Sequence, residues 1–549
     1  MKVNSVEGLH RLANEFWEWR AWHQPATSDD IPRLERPEGW EPDWSRASVE
    51  AERQAVTEFE RRWADIDTTG WSINDRVDYR AIGCAIARPR WELDYQRGWE
   101  RNPRFYVYQA LGPVFEEMVK NKPFDAARSA AVIAGLKRAP KLIEQGKANL
   151  EGRAIRPFAE ATLEILEGIG ARLRDTAAAL QPVLSMETRA AVISAAEQAG
   201  EALEEFSSWL GHSLLSMPED AAIGREGYRY FLDNVALMPF TPELLLIMGR
   251  QEWERSITFE AVARERAKGL PELPLFPDQA SQIAAEAREE NKIRQFLEDK
   301  DLLTVPEWVR HYKNLPLPAY LEPLGHLGVL DDLTGPHRLD EDGLRYIPHP
   351  SPDIGYFELS SARDPRPLIV HEGVPGHHFQ MSLAWAHENL IRRHYYDSGP
   401  NEGIGFYAEE LMLNAGLFDD SPQTRQVICN FMRLRALRVE VDVSLALGIF
   451  DINRATEYLQ HKTPMDYQTA RAEAVFFASM PGQAITYQIG KLQIHRFLAD
   501  ARQKAGAGFN LRAFHDYLWK NGNLPISLLR WEHLGLADEV ETLDNGGTA

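Results

Sequence analysis

The sequence predicts a mainly α fold: a large helical body with a central cleft, and a small β-sheet beside one histidine-rich helix. Three observations carry this. Apolar residues recur at helical spacing along most of the chain, Pro and Gly fall mainly at the joints between those windows, and one proline-crowded stretch, from about 305 to 367, replaces the helical period with short alternating runs.

In chain order, "VEGLHRLANEFWEWRAW" sets Leu9, Leu12, Phe16 and Trp19 three or four residues apart, one stripe of an amphipathic helix. "SVEAERQAVTEFERRWADI", "DYRAIGCAIARPRWELDY" and "ETRAAVISAAEQAGEALEEFSSWLGHSLL" read alike, as do "PELLLIMGRQEWERSITFEAVARERAKG" and "SQIAAEAREENKIRQFLEDK". Ala and Glu, both good helix formers, are frequent in these windows. Between them and the histidines, "LRYIPH" and "GYFELS" alternate and carry aromatics, which predicts two short strands. Helical patterning then resumes to the end. The expected division is an N-terminal helical half, 1–304, and a catalytic half, 305–549, the two forming separate domains or one continuous fold.

Composition narrows the function. The 549 residues carry a formal charge of −21, spread along the chain, which disfavours phosphate backbones and argues against nucleic acid as a partner. Two distant cysteines, Cys84 and Cys429, suit a reducing compartment rather than a disulfide framework. "MKVNSVEGLHRLANEFWEWR" reads as an amphipathic helix, not a signal peptide, and no run approaches the ~20 apolar residues of a membrane span. The expectation is a cytoplasmic protein with no membrane partner.

The chemistry concentrates in "VHEGVPGHHFQ", residues 370–380. A zinc-hydrolase helix usually reads His-Glu-x-x-His, with two imidazoles one turn apart and the Glu beside the metal's water. Here Pro375 occupies the second histidine's place. On an ideal helix His377 lies about 240° round from His371, and His378 shares its face but sits about 10.5 Å along the axis. A wide, π-like turn at Pro375-Gly376 would absorb the extra residues and bring His377 to the ligand position. His371 and His377 are therefore the expected metal ligands, Glu372 the general base, and His378 a neighbour that orients substrate or replaces His377. Glu402, 31 residues beyond His371 in "NEGIGFYAEELMLNAG", is the expected third ligand. Glu409 is the fallback, or an outer acceptor for a ligand histidine. Histidines beside a Pro-Gly turn also serve simply as helix caps, and His10, His212, His326, His387, His394 and His495 read as structural.

These residues resemble a large bacterial family of unknown function whose signature is H-E-x-x-P-G-H-H-x-Q, complete here from His371 to Gln380. Its E-G-x-x-x-Y-A-E block is similar to Glu402, Gly403, Tyr407, Ala408 and Glu409. Its P-G-Q-A-x-x-Y-x-x-G block is similar to Pro481, Gly482, Gln483, Ala484, Tyr487 and Gly490, and its opening W-E-W-R-like helix to Trp17–Arg20. The resemblance implies a zinc-peptidase-like protein, similar in plan to helical carboxypeptidases and oligopeptidases that bind one zinc ion through two His and one Glu. It makes Tyr487 the candidate hydrogen-bond donor to the reacting oxyanion, with His378 assisting. Two departures stand out: Asp442 is followed four residues later by Ala446 where many relatives have His, and Phe476-Phe477 stand where many have Arg-Tyr.

The expected activity is a zinc-dependent peptidase cutting short peptides. A zinc amidase or esterase acting on a small modified amino-acid conjugate is the alternative, and a helical binding protein with a relic site is the third. Arg433, Arg435 and Arg438 offer either a clamp for a substrate carboxylate or structural ion pairs.

Overall fold

The computed structural model describes residues 5–27 and 35–545; the first four residues of the N-terminal stretch lie outside them. Helix accounts for 69% of the chain, and one three-stranded sheet completes the fold, which is mainly α as the periodicity predicts. The six quoted windows form helices at Val6–His23, Arg46–Ala64, Ile73–Arg90, Arg189–Ser213, Pro242–Ala267 and Gln279–Asp299. Several start on side-chain caps: Ser5 accepts from the Gly8 amide and Asp278 from the Ser281 amide.

The sheet lies in the proline-crowded stretch. Strand β1 (Tyr312–Pro316) pairs in parallel with β3 (Gly343–Ile347), and β2 (Asp331–Asp332) pairs antiparallel on the other side of β3. β3 is the strand predicted from "LRYIPH". The second predicted strand is a correction: Tyr356–Ser361 is a short helix. Tyr356 and Phe357, adjacent in sequence, both pack against Phe431. Successive strand residues point to opposite faces, so one shared target requires a helical turn.

One hydrophobic core crosses the expected boundary at 304/305. Leu9, Leu12 and Phe16 of the first helix and Ile293, Leu297 and Leu303 share a cluster with Val370, Ile404, Phe406 and Phe497. A second core, including Leu111, Leu136 and Leu203, is closed on one side by Leu321, Leu324 and Tyr346 from the sheet region. Both histidine-bearing segments and the Glu402 helix hang on the first core, so the N-terminal helices form part of the wall behind the candidate site.

Candidate metal centre

The motif is built from two helices and a break, not one deformed helix. Arg366–Leu368 runs into a π-helical turn over Ile369–Gly373, which the Val374 amide closes on the Ile369 carbonyl at 2.9 Å. Val374 is extended, and a new helix begins at His377 and runs to Trp385. The π turn expected at Pro375-Gly376 thus lies just upstream of them. A Cβ at Gly376 would stand 1.7 Å from the His371 carbonyl oxygen, so the chain can double back there only as glycine. The Trp519 indole N–H donates to the Pro375 carbonyl at 2.6 Å and pins the break from a helix near the C-terminus.

The doubling back brings the ligands together. Nε2 of His371 and Nε2 of His377 each lie 3.3 Å from the same oxygen, Glu402 Oε2. Four ligands around zinc at about 2.0–2.1 Å and tetrahedral angles have edges of about 3.3 Å, so the observed spacings match a tetrahedral ion. That oxygen is buried and has no hydrogen-bond partner in the protein, an unmet acceptor that a cation would satisfy. Among the described residues, these three form the group of His, Cys, Asp or Glu side chains placed to hold a metal.

Glu402 rides on the Ser398–Ala415 helix, the glutamate helix. Asp397 caps it, accepting from the Gly399 amide at 2.7 Å, and pairs with Arg88 at 2.5 Å. One turn on, Gly405 makes room for the imidazoles: a Cβ there would be 3.0 Å from Cε1 of both His371 and His377. Gly403 faces Gly490 of the Ile485–Ala505 helix, the tyrosine helix. Their backbones touch, since a Cβ on Gly403 would lie 2.8 Å from the Gly490 carbonyl carbon.

Glu409 takes the outer-shell place rather than a ligand's. Its Oε1 is 2.7 Å from His371 Nδ1, in a contact too bent for a regular hydrogen bond, and 3.0 Å from Arg435 Nη2. Burial alone would raise the Glu409 carboxyl, but Arg435 and His371 outweigh it and hold it below its usual range. Burial likewise opposes the Glu402 carboxylate, while His377 and His371 pull it well down. Against its own burial, His371 is raised to about 9 by Glu402, Glu409 and Glu372. These are anionic groups competing for positive charge, the electrostatic signature of a cation site.

Tyr487 stands over the centre. Its ring lies parallel to that of His371, centroids 6.1 Å apart, and the Arg438 guanidinium sits 4.6 Å from the tyrosine ring on the Pro422–Ala446 helix. The Pro481–Ala484 turn that launches the tyrosine helix is held by fully buried Asp442, which accepts from the Gly482 and Ala484 amides at 2.9 and 2.8 Å and from the Tyr228 hydroxyl at 3.0 Å. Gly482 has φ of 92°, and a Cβ there would run into the Phe231 ring. Glu372 is half-buried and makes no ion pair or hydrogen bond among the described residues. The charge of Arg345, which lines a 340 Å³ cavity beside β3, is felt there.

His378 does not join the others. Its ring packs against Gly343 of the sheet and lies 6.0 Å from the Tyr312 ring, tilted to it, and burial lowers it to about 3, which keeps it neutral. Consecutive helical residues diverge by about 100°, so with His377 on Glu402 its neighbour faces away. The arginines resolve as ion pairs: Arg433 with Glu260, Arg435 with Glu409, Arg438 with Glu473. Phe477 is buried under Arg438, and half-buried Phe476 packs beside it. Ala446 is buried among Val439, Val443 and Ile485. Gly405, Trp519 and the Asp442 anchor escaped sequence reasoning. Only Gly405 left a local signal, the paired glycines Gly403 and Gly405 just after an acid.

A family model described as bacterial protein of unknown function (DUF885) matches residues 35–316 and 336–532. No curated protein matches the chain. Solved structures share the fold, two of them as follows. One is a protein of unknown function from Shewanella oneidensis, provisionally described as a lipoprotein: TM-score 0.72, 15% identity, covering 96% of this chain and 100% of that one. The other, from Colwellia psychrerythraea and described in the same provisional way, has TM-score 0.74 and 16% identity over 98% of this chain and 100% of its own.

Proposed function

The chain belongs to the DUF885 family of bacterial proteins of unknown function, and from that premise we propose that it is a zinc-dependent hydrolase of short peptides or related small amides. The observation that carries the reading is the pair of 3.3 Å distances from two imidazole nitrogens to one unsatisfied carboxylate oxygen. Zinc held by His371, His377 and Glu402 supplies Lewis acidity toward a carbonyl and lowers the pKa of a water to near 7.

The remaining work falls to the chain's own groups. Glu372, adjacent to a ligand and without an ion pair among the described residues, takes the proton of the attacking water and returns it to the leaving amine. Tyr487, parallel to His371 and beside Arg438, donates a hydrogen bond where negative charge develops on the carbonyl oxygen. Glu409, backed by Arg435, holds negative charge against His371 Nδ1 and steadies the ring. The three arginines pair with Glu260, Glu409 and Glu473, while Nε and Nη1 of Arg435 stay buried without a hydrogen-bond partner among the described residues.

Glu372→Gln is the decisive variant. It should retain one zinc per chain by elemental analysis and lose roughly 10²–10⁴-fold in kcat on whichever peptide or amide the wild type cleaves. Wild-type protein that binds no zinc, or a variant with undiminished turnover, removes the hydrolase.

A further inference from the structure

A second built cavity lies among the N-terminal helices and shares no lining residue with the metal centre. It measures about 80 Å³ and is walled by Trp44, Trp99 and Phe105, with Trp44 and Phe105 edge to face at 4.6 Å. Arg20, singled out in the sequence but without a part in the metal chemistry, reaches into its lining, as do Glu52 and Glu92.

The charges do not balance. Arg20 Nη2 is 2.5 Å from Glu92 Oε1, which makes one ion pair. Glu52, only 6% exposed, has no hydrogen-bond or ion-pair partner among the described residues. A buried carboxylate without a partner costs several kcal/mol if ionised, so the group either stays protonated or meets a cation. Burial raises the Glu52 carboxyl to about 8, with Arg20 opposing and Glu92 and Asp43 adding to the rise.

Beside Arg20 and the Tyr108 hydroxyl, which has no hydrogen-bond partner among the described residues, the polar lining includes His23. His23 Nδ1 is 2.7 Å from the Trp19 carbonyl, which can only accept; the ring therefore carries its hydrogen on Nδ1 and leaves Nε2 a lone pair. Burial lowers the His23 pKa, which keeps the ring neutral. A carboxylate and an imidazole lone pair inside aromatic walls suit a group that brings several N–H donors, one positive charge and a small apolar body. The volume is about half of the ~150 Å³ that holds a benzene, so it takes about three heavy atoms.

We propose that the cavity around Glu52 is a binding site for a primary alkylammonium group, ethylammonium in size, either as a free amine or as the end of a longer one. The charge meets Glu52, a second N–H meets His23, and the carbons lie against Trp99 and Phe105. The cavity also touches the end of the Tyr467–Ser479 helix: Ser479 and Met480 line it, and Gln96 donates to the Ser479 carbonyl at 2.8 Å just before the turn held by Asp442.

The test is calorimetric titration of full-length protein with ethylammonium chloride, with ethanol and potassium chloride as controls. Wild type should bind ethylammonium saturably at one site, ethanol and potassium should not compete, and Glu52→Gln should weaken binding at least tenfold with zinc content unchanged. Absent saturable binding, equal binding of ethanol or potassium, or an unchanged Glu52→Gln titration overturns the proposal. Should that variant fail to fold, a wild-type crystal soaked in ethylammonium chloride decides: density with its nitrogen on the Glu52 carboxylate supports the site, and a cavity holding only water removes it.

Discussion

At Gly405 a methyl group would stand 3.0 Å from Cε1 of both ligand histidines, closer than ordinary packing allows. Mid-helix Gly→Ala otherwise stabilises by about 0.5–1 kcal/mol. Gly405→Ala should therefore raise or hold the Tm of chelated protein while weakening zinc roughly tenfold or more, read by competition with a chromogenic chelator; unchanged zinc affinity would show the imidazoles are not confined as described. The same residues predict a pH effect. His371 has a folded-state pKa of about 9 against an ordinary 6.5, the gain from Glu402, Glu409 and Glu372 exceeding the cost of burial. Because the folded chain binds this proton more tightly, its stabilising contribution is complete below about pH 6.5 and is lost as pH rises to about 9. Zinc requires the neutral ring and gains over the same interval. The gap in Tm between zinc-loaded and chelated protein should widen steadily from pH 6.5 to 9; a constant gap would contradict the His371–Glu402–Glu409 cluster.

Among the elements, the break between the π turn and the second histidine helix decides the geometry, and Trp519 holds it through the Pro375 carbonyl. Trp519→Phe keeps a buried ring but drops that hydrogen bond, at a cost of about 1 kcal/mol in stability. The freed carbonyl lets the break relax, so zinc affinity should fall roughly tenfold, of the order seen for outer-shell groups. Equal zinc binding in the two proteins would assign Trp519 to packing alone. The sequence carried the local part of this site well. The placing of His371 near Glu402 was legible because a metal-type pair and an acid early in a helix are patterns of residue type and spacing. The choice between His377 and His378 rested on a bend whose presence Pro375-Gly376 announced but whose form they did not. Trp519 is 144 positions from Pro375, and no local pattern announces a contact over that distance. "GYFELS" failed for a related reason: two adjacent aromatics satisfy alternation and a helical turn about equally, and Phe431 on a distant helix decided between them.

Across the whole molecule, helical class and the proline-crowded non-helical stretch were readable from period alone, whereas the packing across 304/305 was not. Leu9, Phe16, Ile293 and Leu303 on one side of it share a core with Val370, Ile404 and Phe497 on the other. Ion pairs cross it too: Arg88 with Asp397 at the glutamate helix cap, Arg255 with buried Glu410, and Arg392 with Asp78 at 3.0 Å. A fragment beginning at 305 would expose the apolar faces of the π turn and of the glutamate helix, and would leave Asp397 and Glu410 without those cations. Burial of large apolar side chains contributes about 1.5–3 kcal/mol each, so the loss of several exceeds the 5–15 kcal/mol that keeps a typical domain folded. Residues 305–549 expressed alone should therefore give no cooperative thermal transition and bind no stoichiometric zinc, while the full chain melts with both cores lost in one step. Mixing the separately produced halves should restore part of the zinc binding if the interface can reassemble. A fragment 305–549 that folds cooperatively and holds one zinc would make the N-terminal helices an independent domain and would detach the metal centre from the core assigned to it.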